Sequence, residues 1–133
     1  MKMTLHVDLA APPEEVWALV GAFGDLAQWH PWVPNCSLSE DGLTRTIHLG
    51  PNTAIEVLDP AATTPSSHSY RVEQSPVPVE DYRATWSVQA RASGCTVRWS
   101  AEFTPTDPNA ATFLATFFEQ GFDALRDRFG SGD

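Results

Sequence analysis

The chain has 133 residues, a formal net charge of −9 at pH 7 and a pI near 4.7. Its eight Lys and Arg residues are scattered along the sequence. Nucleic acids and anionic membranes are therefore excluded as partners, because phosphate contacts need clustered basic side chains. With 42% hydrophobic residues the chain can bury the core of one domain, which we place at residues 1–133.

The two cysteines and the N-terminus indicate the compartment. Cys36 and Cys95 lie far apart, without a CxxC motif or histidines at metal-ligand spacing. They predict free thiols in a reducing environment and no metal site, and no motif indicates a cofactor. The first residues lack the apolar core of a secretion signal, and no stretch approaches the ~20 apolar residues of a membrane span. We expect a cytoplasmic protein that does not insert into membranes, either as a monomer or as a homodimer.

The first third of the chain predicts one strand and two short helices. Apolar and polar residues alternate over Met3–Leu9, which is typical of a half-buried strand. Pro12, Pro13 and two glutamates then open a helix that ends at Gly21 and Gly24. The residues Asp25–Pro34 predict a second short helix that Pro31 interrupts.

Six extended runs separated by turn residues follow, a pattern that favours antiparallel hairpins. They are Cys36–Glu40, Thr44–Leu49, Thr53–Leu58, His68–Gln74, Asp81–Ala90 and Thr96–Phe103. In the last two runs every second residue is apolar, which predicts an inward set of Tyr82, Ala84, Trp86, Val88, Val97, Trp99, Ala101 and Phe103. The alanines in this set are expected to leave gaps that suit an apolar or aromatic guest.

The predicted last helix, Pro108–Phe129, has Asp107 as its cap and apolar residues over half of its surface. Gly121 lies near the centre of that apolar face and costs about 1 kcal/mol relative to alanine. Two explanations remain open for it. One is close packing against a sheet side chain, and the other is room for a ligand between helix and sheet.

This order of elements predicts an α+β fold. Six segments carry a family resemblance: APPEEVWALVGAFGDLAQWHPWV, TRTIHLG, IEVLD, PVEDYRATWSV, VRWSAEF and FFEQGFDAL. Through them the chain resembles the START, polyketide cyclase and birch-pollen-allergen superfamily (SRPBCC), in its small bacterial polyketide cyclase/dehydrase branch. The resemblance implies a helix-grip fold, in which a seven-stranded antiparallel sheet wraps around the long C-terminal helix and two short helices follow the first strand. It also implies a cavity for lipids, hormones or polyketides, in which some members catalyse cyclisation, dehydration or aldol-type steps.

The same resemblance points to Arg45, Glu56 and Tyr70 as polar site residues. A one-residue change of register reverses the faces of a strand, so two arrangements of Arg45 and Glu56 stay open. They form either a partly buried ion pair that orients a ligand, or a solvated cross-strand pair on the outer face of the sheet.

The segment Trp29-His30-Pro31-Trp32 combines two tryptophans with a candidate general base. Trp29 is expected either to cover the mouth of the cavity or to pack with Trp32 as a hinge. His30 is expected at the surface, with acid/base chemistry as the alternative. His6, His48 and His68 are expected on polar faces or loop edges.

Together these features predict a protein that binds a small hydrophobic or aromatic molecule, lipid-like or polyketide-like, in an internal cavity between the sheet and the last helix. The predicted ligand-binding residues are Trp29, Trp32, Arg45, Ile47, Glu56, Tyr70, Tyr82, Trp86, Trp99, Phe103, Phe117 and Gly121. The alternative is a cyclase, dehydratase or aldol-type enzyme that uses Glu56, Arg45, Tyr70 and His30 in the same cavity. A regulatory or chaperone-associated interaction module ranks last, because the outward faces of the last strands are polar.

Overall fold

A computed structural model describes residues 1–132 and consists of seven strands, two helices and one 3-10 turn. The strands are β1 (Lys2–Leu9), β2 (Asn35–Leu38), β3 (Thr44–Leu49), β4 (Asn52–Thr64), β5 (Ser67–Gln74), β6 (Val79–Arg91) and β7 (Gly94–Pro105). The helices are α1 (Pro13–Val20) and α2 (Ala110–Phe129), and the 3-10 turn is Leu26–Gln28.

The strands form one antiparallel sheet in the order β1-β7-β6-β5-β4-β3-β2, with α2 packed against its inner face. The inner face carries the predicted alternating residues of β6 and β7, from Tyr82 to Val88 and from Val97 to Phe103, and all eight are buried. α2 buries the face that includes Leu114, Phe118, Gly121, Phe122 and Leu125. The predicted helix-grip α+β fold is thereby confirmed. No helix among residues 1–132 is long and apolar enough to cross a bilayer.

Three predicted boundaries are wrong. Asp25–Pro34 does not form a second α-helix, because regular structure in it is limited to the 3-10 turn Leu26–Gln28. α2 begins at Ala110 and not at Pro108, since the Asp107 carboxylate accepts a hydrogen bond from the Asn109 amide at 2.8 Å and closes a separate turn first. β4 continues through the predicted turn at Asp59 and Pro60, with a register shift that accommodates the extra residues.

Candidate functional site

Aromatic rings fill the centre of the space between sheet and helix. Trp99 stacks on Phe118 with centroids 3.7 Å apart, and Trp86 meets Phe118 and Phe122 at 5.7 and 5.9 Å. Ala84 and Ala101, beside which we expected gaps, are themselves buried. At the middle of the sheet the rings of β6, β7 and α2 therefore contact one another directly.

An apolar groove lies at one end of the interface between the sheet and α2, where the start of α2 meets the β3–β4 and β5–β6 loops. Its volume is about 650 Å³. Trp32 and Phe113 stand at its edge, 41% and 47% exposed, with ring centroids 6.4 Å apart. The remaining lining residues are Pro34, Leu49, Gly50, Asn52, Pro76, Val77, Pro78, Asp107, Asn109, Ala110 and Phe117. Two large rings in water beside a concave apolar surface are the type of feature that marks a binding site.

His30 fixes the aromatic wall of this groove from behind. Its Nδ1 accepts the Trp32 backbone N–H at 3.1 Å, and its Nε2 lies 2.7 Å from the carbonyl oxygen of Phe117. The first contact makes Nδ1 an acceptor, so the proton is on Nε2 and the imidazole is neutral. The ring also stacks on Phe117 at 4.1 Å. His30 therefore holds Trp32 and Phe117 in position.

The expected surface position of His30 is wrong, because the residue is 2% exposed. Burial lowers the pKa of His30 to about 4, against the opposing effect of its hydrogen bond to Phe117. With both ring nitrogens engaged, His30 has no free lone pair with which to act as a general base.

Gly121 allows the segment 29–32 to approach α2. A Cβ atom at this position would lie 2.8 Å from Cδ2 of His30 and 3.1 Å from Cζ3 of Trp29. Gly121 is therefore closely packed, but its partners are the two rings of this segment and not the sheet side chain that was expected. Trp29 is buried and meets Trp86 edge-on at 5.7 Å, so its ring packs against the sheet.

Arg45 and Glu56 form a buried ion pair on the inner face of the sheet. They lie directly opposite each other on β3 and β4, and both side chains point inward. Nε and Nη2 of Arg45 contact Oε1 of Glu56 at 2.7 and 2.6 Å, and Nη1 donates to the carbonyl oxygen of Phe23 at 3.1 Å. Burial acts to lower the pKa of Arg45, but the charge and hydrogen bond of Glu56 together with Tyr70 and Cys36 outweigh it, and the pKa is raised. Arg45 therefore stays charged and holds Glu56 in place.

Two tyrosines extend this polar cluster. The guanidinium of Arg45 lies 4.9 Å from the ring centre of Tyr70, whose hydroxyl receives the Trp99 indole N–H at 3.3 Å. The rings of Tyr70 and Tyr82 have centroids 6.4 Å apart. Burial, followed by the nearby charge of Glu56, raises the pKa of Tyr70. Burial also raises the pKa of Tyr82. Both phenols are neutral at physiological pH.

His68, expected on a loop edge or polar face, is instead 2% exposed between Trp17 and Phe23, with ring centroids 5.4 and 5.6 Å away. Burial and then the charge of Arg45 lower its pKa to about 4. Alternation along β5 would have predicted this burial, since His68 lies two residues before the inward Tyr70 on the same strand.

The predicted site residues fall into three groups in the structure. Trp32 and Phe117 line the groove, with Trp29, His30 and Gly121 directly behind them. Arg45, Glu56, Tyr70, Tyr82 and Trp99 form the buried polar cluster. Ile47, Trp86 and Phe103 belong to the core. No three His, Cys, Asp or Glu side chains among residues 1–132 are arranged to hold a metal ion.

Sequence reasoning missed the other groove residues, above all Phe113, Val77 and Leu49. Phe113 lies at the edge of the predicted apolar face of α2. Val77 and Leu49 lie in or beside turns that join the groove only after the sheet has curled. Their separation along the chain carries no local signal.

Comparison with known families and solved structures shows which family the chain belongs to. A family model described as polyketide cyclase/dehydrase and lipid transport matches residues 1–130. The structure of XoxI from Bacillus cereus is similar at 29% identity with a TM-score of 0.89, covering 96% of this chain and 94% of that one. A Bacillus thuringiensis protein is similar at 28% identity and a TM-score of 0.88, covering 97% and 98%.

The di-domain ARO/CYC BexL from the BE-7585A biosynthetic pathway is similar in fold, at 21% identity and a TM-score of 0.74, over 96% of this chain and 45% of that one. No curated protein matches the chain. Since the family model spans almost the whole sequence and the helix-grip fold agrees with it, the chain belongs to the polyketide cyclase/dehydrase and lipid transport family of the SRPBCC superfamily.

Proposed function

We propose that this protein binds a small hydrophobic or aromatic molecule, and that the apolar groove receives it. The observation that carries the proposal is the pair Trp32 and Phe113, two large rings that stay 41% and 47% exposed beside a space of about 650 Å³. That volume lies within the roughly 300–1,000 Å³ of small-molecule sites. Burying such rings against a ligand releases about 25 cal/mol per Å² of apolar surface.

The proposed ligand places its apolar body between Trp32, Phe113 and Phe117, and its polar atoms toward the rim. Asn52, Asp107 and Asn109 supply the polar groups there. The description of the family, which includes lipid transport, supports an apolar ligand. The rings of Trp86 and Trp99 lie deeper and pack against Phe118 of α2. Contact of a ligand with these two predicted residues stays a prediction.

Fluorescence titration with 1-anilinonaphthalene-8-sulfonate and with a series of fatty acids tests the proposal. Trp32→Ala and Phe113→Ala are each expected to weaken binding by about tenfold, since each removes most of one ring from the contact. Leu38→Ala is the matched control, because Leu38 is also 47% exposed but lies outside the groove. Equal effects of all three substitutions, or no binding of any probe, would refute the assignment.

An acid/base enzyme is the second candidate, favoured by one observation: a charged pair and two neutral phenols are buried together next to the core. In this candidate Tyr70 donates a proton and the Arg45–Glu56 pair orients a carbonyl group. Incubation with a 1,3-diketone thioester and detection of cyclised or dehydrated product by mass spectrometry tests it. Tyr70→Phe keeps the ring and removes the hydroxyl, so an unchanged rate in this variant removes Tyr70 from the mechanism.

We also propose that residues 1–133 act as one ligand-binding domain in the cytoplasm. The family match over residues 1–130 supports the single domain. Cys36 and Cys95 are free thiols, which supports a reducing compartment.

A further inference from the structure

The outer face of the sheet, which faces away from α2, contains a second depression of about 740 Å³. It is lined by residues of β1, β7, β6, β5 and β4 and shares no residue with the apolar groove. Polar and charged side chains line it together with apolar ones, and neither the family resemblance nor the proposed function uses it.

The strand register places four hydroxyl side chains in one row across this depression. Thr4 lies opposite Ser100, Ser100 opposite Thr85, and Thr85 opposite Ser69. The hydroxyls of Ser69 and Thr85 are 2.7 Å apart. Asp59 stands opposite Ser69 and ends the row with a carboxylate.

The neighbouring row on the same face carries charge. Lys2 lies opposite Glu102, Glu102 opposite Arg83, and Arg83 opposite Arg71. Three of the eight Lys and Arg residues of an acidic chain therefore meet in one depression. Lys2 pairs with Glu102 at 3.2 Å and Arg71 with Glu73 at 3.0 Å, whereas Arg83 has no ion pair within 4.0 Å among residues 1–132.

Two arginines directly opposite each other on adjacent strands repel, which costs stability unless an anion lies between them. Guanidinium groups present planar pairs of N–H donors that match the oxygens of a phosphate. The adjacent row of hydroxyls and the Asp59 carboxylate suit the hydroxyl groups of the same molecule. We propose that this depression binds a small hydroxylated phosphate ester, with its phosphate between Arg71 and Arg83 and its hydroxyls along the row from Ser100 to Asp59.

Amide chemical-shift titration of the whole protein by NMR tests this proposal, with ribose 5-phosphate as the probe and ribose as its uncharged counterpart. Saturable shifts are expected for ribose 5-phosphate at residues 69–71, 83–85 and 100–102, and none for ribose. Arg83→Gln is expected to weaken binding by about tenfold, the effect of losing one charge-assisted contact.

Arg98→Gln is the control, since Arg98 is exposed on the same face but lies outside the depression. Arg83→Gln is also expected to leave the thermal stability of the ligand-free protein unchanged or higher, because it relieves the repulsion from Arg71. Absence of saturable shifts, or equal weakening by Arg83→Gln and Arg98→Gln, would overturn the proposal. Neither result affects the apolar groove, whose probes are predicted to bind with the same affinity in the presence of ribose 5-phosphate.

Discussion

Removing the negative charge of Glu56 while keeping its shape, as in Glu56→Gln, is expected to destabilise the fold strongly. The side chains of Arg45 and Glu56 are only 4% and 11% exposed, and both Nε and Nη2 of Arg45 contact the same carboxylate oxygen. Loss of one member leaves the other as a buried charge without a counterion. Such a loss costs roughly 3–5 kcal/mol, out of a total unfolding free energy of roughly 5–15 kcal/mol for a domain.

Urea unfolding followed by tryptophan fluorescence measures this difference. Glu102→Gln is the control, because it breaks the Lys2–Glu102 pair, whose side chains are 82% and 66% exposed. An exposed pair contributes at most about 1 kcal/mol. The double variant Arg45→Met/Glu56→Leu is expected to recover most of the stability, since apolar residues of similar volume replace both charges. A loss of stability in Glu56→Gln no larger than that in Glu102→Gln would contradict this prediction.

Two further predictions concern the wall behind the groove and the buried histidines. Gly121→Ala is expected to destabilise the protein by roughly 1–3 kcal/mol despite the higher helix propensity of alanine, because the new methyl group overlaps Cδ2 of His30 at 2.8 Å. Thermal unfolding measures this, and an effect as small as that of the exposed Thr116→Ala would contradict it. His30 and His68 have pKa values lowered to about 4 by burial, so between about pH 6.5 and 4 the unfolded chain binds protons that the folded chain does not. The free energy of unfolding therefore has its highest value above pH 6.5 with respect to these two groups. It falls as the pH drops through this window, by up to about 1.4 kcal/mol per pH unit for each histidine. Urea midpoints at pH 7 and pH 5 measure the change, and assigned NMR signals of His30 or His68 that titrate near pH 6.5 in the folded protein would contradict it.

The fold could be predicted from the sequence because alternation and turn residues are local signals. The inward faces of β6 and β7 follow directly from every second residue between Tyr82 and Val88 and between Val97 and Phe103. The limits of β4 could not be predicted in this way. Asp59 and Pro60 are typical turn residues, yet an irregular register lets the strand continue through them to Thr64.

The site could be predicted less well than the fold, because it depends on contacts between residues that are distant in the chain. The facing of Arg45 and Glu56 is decided by the β3–β4 register, in which the two residues are direct partners. His30 is buried through its contacts with Phe117, which is 87 positions away in the chain. Nothing within the segment Trp29-His30-Pro31-Trp32 indicates that partner, and its polar histidine suggests the opposite environment.

The position of a bound apolar probe is the most direct test of the claim that the groove at the start of α2 is the binding site. Intermolecular nuclear Overhauser effects from 1-anilinonaphthalene-8-sulfonate to isotope-labelled protein supply it. Contacts are expected with the Trp32 indole and with the Phe113 and Phe117 rings. Contacts confined to other surfaces, such as the exposed Leu38 on β2, would contradict it.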